Sequence, residues 1–278
     1  GAVQAARAGA VAALVRSLTL REDDFPHTGL MNYEPIFRRI PAASISTKGA
    51  NLLSDLLKKD PNLKIDLKLS CRQLPPVGSH NVFGQISGSE KPNEIILLGG
   101  HLDSWDLGSG AHDDGAGCAQ AVEALRLLKE LGVKPKRTIR AVMFMNEEFG
   151  GSGGRDYASS KDRKKEIHLA AIESDRGGFL PFGFGVGGGQ QALKSLQRWE
   201  YLFKPLGMFW IREGGGGVDI SPLAKKGAVL IGLVPESHKY FDFHHSAKDV
   251  LSAVHPRELE LGAIAMAIFA YVIAQEGI

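Results

Sequence analysis

Glu94-Ile95-Ile96-Leu97-Leu98-Gly99-Gly100-His101-Leu102-Asp103 is the stretch on which the fold turns. Its apolar residues are continuous rather than alternating, as expected of a strand covered on both faces. Gly99 and Gly100 imply that another backbone approaches closely there. His101 and Asp103 are one residue apart, so on an extended backbone they point the same way. That suits a metal-ligating imidazole whose second ring N–H is taken by a carboxylate; a plain polar strand end is the competing reading.

On either side of this strand the chain alternates. Residues Gly115 to Leu131 have a helical pattern rich in Ala and Leu, Thr138 to Met145 a strand pattern, and Gly153 to Ser160 a short helix. Ile167 to Ile172 is a further strand, Gln190 to Tyr201 a helix, Ala228 to Val234 a strand, and Pro256 to Ala274 a long closing helix. Strand–helix alternation predicts an α/β sheet with helices on both faces. Upstream, Ala2 to Val15 is helix-prone, Ile40 to Ser46 reads as a short strand and Ala50 to Lys59 as a helix. Leu63, Ile65, Leu67 and Leu69 alternate with polar residues, which predicts a half-buried strand, with Asn81 to Ile86 as its partner. A boundary near Asp60 to Asn62 divides a partial N-terminal lobe, residues 1–60, from a main domain, residues 61–278.

With 278 residues the chain can bury a substantial core. Lys and Arg number 33 against 31 Asp and Glu, so no basic field points to nucleic acid or an anionic membrane. The longest apolar stretch, Leu261 to Ala274, is too short for a membrane span and reads as a buried core helix. Cys71 and Cys118 match no zinc-ribbon spacing, and their pairing stays open. No signal peptide is visible, but Ala2 to Leu20 already reads as the middle of a domain, so an upstream portion is expected to be missing.

Acidic and imidazole clusters follow the predicted strands, where open α/β sheets bind their ligands. Asp113-Asp114-Gly115 opens a helix after a glycine-rich loop, so Asp114 suits a helix cap, leaving Asp113 to bridge two metals. His112 reads as solvated. Glu147 and Glu148 end an apolar run, where adjacent carboxylates repel unless a cation joins them. One would hold metal and the other serve the attacking water. Asp175 is a candidate ligand, with Glu173 a solvated strand end. Either His244 or His245, among aromatic neighbours, completes the set. Gly183 to Gly189 and Gly214 to Gly217 lack a phosphate-loop pattern and read as flexible loops near the pocket.

The segments Gly100-His101-Leu102-Asp103-Ser104-Trp105-Asp106, Asp113-Asp114-Gly115, Glu147-Glu148, Glu173-Ser174-Asp175 and Phe243-His244-His245-Ser246 resemble the motifs of the M28 zinc peptidases, in their order. Within that family they are similar to the carboxypeptidase Q (plasma glutamate carboxypeptidase-like) branch. The resemblance spans essentially the whole chain, and His27-Thr28-Gly29 and Ile40 to Ser46 look like the end of a protease-associated lobe. It implies a three-layer sandwich on a mostly parallel sheet, and a centre of two zinc ions (Zn2+) per chain. In that centre Asp113 would bridge, His101 and Asp175 would hold one zinc, Glu148 and His245 the other, and Glu147 would be the general base. Asp113 is favoured over Asp114 by its spacing from His101, and His245 over His244 by the Ser-x-x-Asp that follows. A cis peptide at Asp113–Asp114 is implied as well.

The expected activity is exopeptidase hydrolysis of dipeptides or short peptides, in a secreted, periplasmic or lysosome-like setting, with a homodimer left open. Two rivals remain. A single-zinc glutaminyl-cyclase-like transferase needs fewer ligands, and an inactive receptor-like homologue would have lost some.

Overall fold

The continuous apolar run does form a central strand. β4 (Lys91–His101) has residues 95 to 101 buried, and it lies between β5 (Arg137–Phe144) and β6 (Ile167–Glu173), parallel to both. In this computed structural model, which describes residues 1–278, seven strands form one sheet in the order β3-β5-β4-β6-β9-β7-β8. The outer members are β3 (Val82–Ile86), β7 (Pro181–Val186), β8 (Trp210–Glu213) and β9 (Val229–Pro235). β3 against β5 and β7 against β9 are antiparallel, and the other pairs are parallel.

Each face of the sheet has its own apolar layer. On one side α3 (Ala116–Glu130), α5 (Gln190–Gln197) and α6 (Pro256–Glu276) cover Ile96, Leu98, Ile139, Ile172 and Phe184. On the other, Tyr157 and Ala158 of α4 (Ser152–Ser159) pack with Leu97, Val142, Phe144 and Ala171, together with Ile220 and Leu223. The three-layer α/β arrangement follows from this two-sided burial. By length and hydropathy α6 could span a bilayer, but Ala263, Met266, Phe269, Ala270 and Ile273 are fully covered by the sheet and α3, as a core helix requires.

Residues 1–60 carry a separate two-stranded parallel sheet, β1 (Ala13–Arg16) with β2 (Ala42–Ile45), flanked by α1 (Ala2–Arg7) and α2 (Thr47–Lys59). Several expectations need correction. The N-terminal helix stops at Arg7, because Gly9 turns at φ +85° and Ala13 onward pairs with β2. Leu63 to Leu69 forms no strand: Ile65 and Leu69 are exposed, and β3 pairs with β5 instead. Alternation marks a surface that could be half-buried, but a strand needs a neighbour for its N–H and C=O groups. Gly183 to Val186, expected as loop, is the inner strand β7, while Gly214 to Gly217 is loop. Cys71 and Cys118 are both free, one exposed and one buried.

Beneath the α4 face lies a buried polar chain. Arg140 donates to Glu166 through two nitrogens, at 2.8 and 2.7 Å, and to the Tyr157 hydroxyl at 2.8 Å. The hydroxyl is 3.0 Å from Nε2 of His168. With Nε2 of His168 unprotonated, the Tyr157 hydroxyl accepts from Arg140 and donates its own proton to His168. Burial accordingly lowers His168 to about 4. The unfolded chain therefore binds a proton at His168 between about pH 6.5 and 4 that the folded chain does not, and stability falls as pH drops through that window. We predict that the free energy of unfolding, measured by urea titration from pH 6.5 to 4, declines more steeply for the wild type than for His168→Gln. The difference should approach 1.4 kcal/mol per pH unit at most; equal slopes would remove His168 from the account.

Candidate active site

Three neighbouring parallel strands deliver their C-terminal ends to one place. β4 ends in His101, β5 runs on to Glu147 and Glu148, and β6 is followed by Asp175. The turn before α3 adds Asp113, and the loop between β9 and α6 adds His244 and His245. All the residues singled out in the sequence as ligands meet here.

Asp113 is the centre of the arrangement. Its Oδ1 lies 3.2 Å from His101 Nε2, and its Oδ2 lies 3.2 Å from His245 Nε2. On the His101 side, Nε2 also faces Asp175 Oδ1 at 3.4 Å. On the other side, His245 Nε2 faces Glu148 Oε2 at 3.1 Å. His244 reaches Asp113 Oδ2 at 3.5 Å and stacks on His245 with ring centroids 3.5 Å apart. Both histidines thus approach Asp113, but it is His245 that also meets Glu148. His245 and Asn146, next to Glu147, take positive φ values of 55° and 69°, a costly conformation for non-glycine residues and one found at functional sites. The Asp113–Asp114 peptide is cis.

The electrostatics follow from crowding acids and imidazoles in a half-dry pocket. Burial raises Asp175, and it raises Asp114 further, with help from the Asp175 charge. Burial acts the same way on Asp113, but the His101 and His245 imidazoles outweigh it and hold the carboxyl below its usual range. For His245, burial opposes protonation and the carboxylates of Asp113 and Glu148 overcome it, raising the imidazole to about 10. Burial, then the negative Asp175, pushes Glu147 up to about 7.

The surroundings hold these groups in place. Asp114 accepts from Gly117 N in the first turn of α3 and from His101 N, both at 3.0 Å, so it caps the helix and ties it to β4. This is the close approach that the glycine pair anticipated: a Cβ on Gly100 would stand 2.6 Å from Asp114 Oδ2. Asp249 accepts from the backbone N–H groups of His112 and Asp113 at 2.6 and 3.1 Å. Trp105 donates its indole N–H to Glu148 Oε2 at 2.7 Å. The role of Asp103 differs from expectation. Its main-chain carbonyl, not its carboxylate, takes the His101 Nδ1 proton at 2.8 Å. The carboxylate instead accepts from Glu147 N and Glu148 N at 3.0 and 3.2 Å, fixing the turn that presents both glutamates.

Two other residues are not the solvated groups that the sequence suggested. His112 is fully buried, stacked on Phe179, and accepts from Gly178 N. Glu173 is 2 % exposed and accepts from Ile220 N at 3.0 Å, anchoring the end of the Gly214–Gly217 loop. That loop, with Glu173, Asp175 and Arg176, lines a cavity of about 370 Å³ beside the acidic centre. Asp249, Trp105 and Glu173 were given no role at the site, although Trp105 and Glu173 lie within the motifs and Asp249 is the Asp of the Ser-x-x-Asp after His245.

These donors fit a metal. Oxygens and imidazole nitrogens are what zinc takes, and His101, Asp113 and Asp175 offer ligand atoms within 4.8 Å of one another, as do Asp113, His244 and His245. His101 Nε2 and Glu148 Oε1 are buried without a hydrogen-bond partner. Trp105, Asp113, Glu148 and His245 enclose a space of about 10 Å³, room for one atom-sized guest.

A mostly parallel sheet whose strand ends gather carboxylates and imidazoles is a setting that suits a divalent metal. The profile of Peptidase family M28 matches residues 81–272, and the chain belongs to that family. It is 36 % identical to carboxypeptidase Q of Homo sapiens and 35 % identical to that of Bos taurus, in each case over 99 % of this chain and 58 % of the relative. The chain thus spans little more than half the length of these relatives. A Peptidase M28 precursor from Shewanella amazonensis has a similar structure, with a TM-score of 0.92 and 37 % identity, covering 100 % of this chain and 63 % of that one. The fold is also shared with a zinc aminopeptidase from Bacillus subtilis, with a TM-score of 0.66 and 19 % identity, over 100 % of this chain and 67 % of that one.

Asp103→Ala should weaken zinc affinity by roughly 10–100-fold with the fold retained, whereas Asp103→Asn, which keeps one acceptor for the Glu147–Glu148 turn, should lose less. Competition with a chelating dye measures both; unchanged affinity in the alanine variant would leave Asp103 without a positioning role.

Proposed function

We propose that this chain is the catalytic part of a dinuclear zinc exopeptidase acting on dipeptides or short peptides. In this reading residues 61–278 are the catalytic domain and residues 1–60 part of a protease-associated-type lobe. His101, Asp113 and Asp175 would hold one zinc, and Asp113, Glu148 and His245 the other. The observation that carries the reading is the Asp113 carboxylate, with one oxygen turned to each imidazole at 3.2 Å. Membership of family M28 and the likeness to carboxypeptidase Q support it. They also favour a secreted or lysosome-like setting.

Zinc bound there would supply Lewis acidity for the attacking water and for the scissile carbonyl. The chain's own residues do the rest. Glu147 takes the proton of the attacking water and returns it to the leaving amine. In the metal-free chain burial and the Asp175 charge raise this carboxyl to about 7; bound cations would draw it back down, toward the ionised form that accepts a proton from water. Asp103 holds the turn that carries Glu147 through its backbone N–H. The 370 Å³ cavity against Asp175 would receive the substrate residue next to the cleaved bond.

The two glutamates should differ in kind. Glu148→Ala should lose one zinc and activity with it. Glu147→Gln should keep both zincs and bind a competitive inhibitor normally, while kcat falls by roughly 10²–10⁴ with little change in KM. Elemental analysis of the wild type should approach two zincs per chain. One tightly held zinc, unchanged by excess metal, would point instead to the single-zinc transferase reading.

A further inference from the structure

The two imidazoles that face Asp113 are held in the same way but from opposite ends of the chain. His101 Nδ1 donates to the main-chain carbonyl of Asp103, two residues away. His245 Nδ1 lies 3.2 Å from the carbonyl of Thr28, which is 217 residues away and belongs to the N-terminal segment. Thr28 also donates its own N–H to the His245 carbonyl at 2.9 Å. The pair of bonds grips His245 at ring and backbone together, and fixes the tautomer that turns Nε2 toward Asp113 and Glu148.

The grip is anchored on both sides. Thr19, 1 % exposed, donates its hydroxyl to Asp242 at 2.6 Å, and Arg21 lies 3.7 Å from the same carboxylate. Asp23 pairs with Lys248 at 3.1 Å. Ser17 accepts from His27 N at 2.9 Å and donates to Ile45 of β2, which ties the gripping segment to the small sheet. Contacts at Asp242, His245 and Lys248 thus bracket the histidine pair. Nothing comparable reaches from residues 17–28 to His101 or Asp175.

We propose that residues Thr19 to Thr28 are a positioning element for one half of the metal centre: Thr28 orients His245, and Thr19 and Asp23 hold Thr28 in register. The small N-terminal unit is then part of the site's construction rather than an appendage to it. The inference rests on the dinuclear reading, and it adds that the two halves of the centre depend unequally on the N-terminal segment.

The test is zinc occupancy of the full chain, by elemental analysis and chelator competition. Thr28→Pro removes the N–H that holds the His245 backbone, and the double change Thr19→Val with Asp23→Asn releases the anchors without touching either ligand half. Each is expected to keep one zinc at wild-type affinity and to hold the second roughly 10–100-fold more weakly. Thr19→Ser, which keeps the hydroxyl donor, should retain both. Thermal unfolding of the metal-free double variant should stay cooperative, with its midpoint lowered only modestly by the lost anchors, which shows that the sheet is retained. Both zincs retained at full affinity in the double variant would overturn the proposal, as would equal weakening of both, which marks a general loss of stability. A wild type that binds one zinc would instead sink the dinuclear reading.

Discussion

Mutual repulsion among carboxylates is the constraint around which this molecule is built. Asp113, Asp114, Glu147, Glu148 and Asp175 converge at one edge of the sheet, where burial works to raise several of them. In water each would be dispersed; here parallel strands and a helix turn bring them together, and imidazoles stand between them. Asp114 is relieved differently, by backbone N–H groups from both β4 and α3. Asp103 and Asp249 each hold a pair of backbone N–H groups and thereby fix the neighbouring acids. The site is a set of like charges kept in place by backbone dipoles, and the fit to divalent cations follows from that.

The sheet supplies rigidity for this arrangement. β4 is buried on both faces and flanked by parallel partners, so His101 cannot shift without moving the core. Glu147 and Glu148 lie just past β5, and Asp175 just past β6. Sites at the ends of rigid strands hold their geometry better than sites on long loops. The exception is the His244–His245 loop, which has no strand beneath it and takes its support from the N-terminal segment.

Much of this was legible in the sequence because it depends on local pattern. The apolar runs at residues 95–98, 141–145 and 169–172 announced inner strands, and the polar clusters beyond them announced the site. What could not be read was pairing. Leu63 to Leu69 has a strand's alternation but no partner, and Gly183-Phe184-Gly185 looked like loop although β8 and β9 flank it. Solvation was equally hidden. His112 and Glu173 read as solvated in the sequence, yet His112 stacks on Phe179 and Glu173 is buried against the Ile220 backbone. The meeting in space of the residues expected as ligands was legible. The acceptor for each imidazole was not, because a main-chain carbonyl leaves no mark in a sequence, whether two residues away at Asp103 or far away at Thr28.

The distance along the chain between Thr28 and His245 also bears on how the molecule comes together in time. Closing a loop of that length costs about 5 kcal/mol of chain entropy, with little return until the intervening sheet exists. Contacts of such long range form late and slow the folding of the domains that rely on them. His101, Asp113 and Asp175 sit closer together in the chain, on elements that assemble around β4. The acidic half of the centre is therefore expected to be in place while the His245 loop is still unanchored. A newly made chain would pass through a stage in which its sheet is complete but the His245 loop still lacks its partner at Thr28.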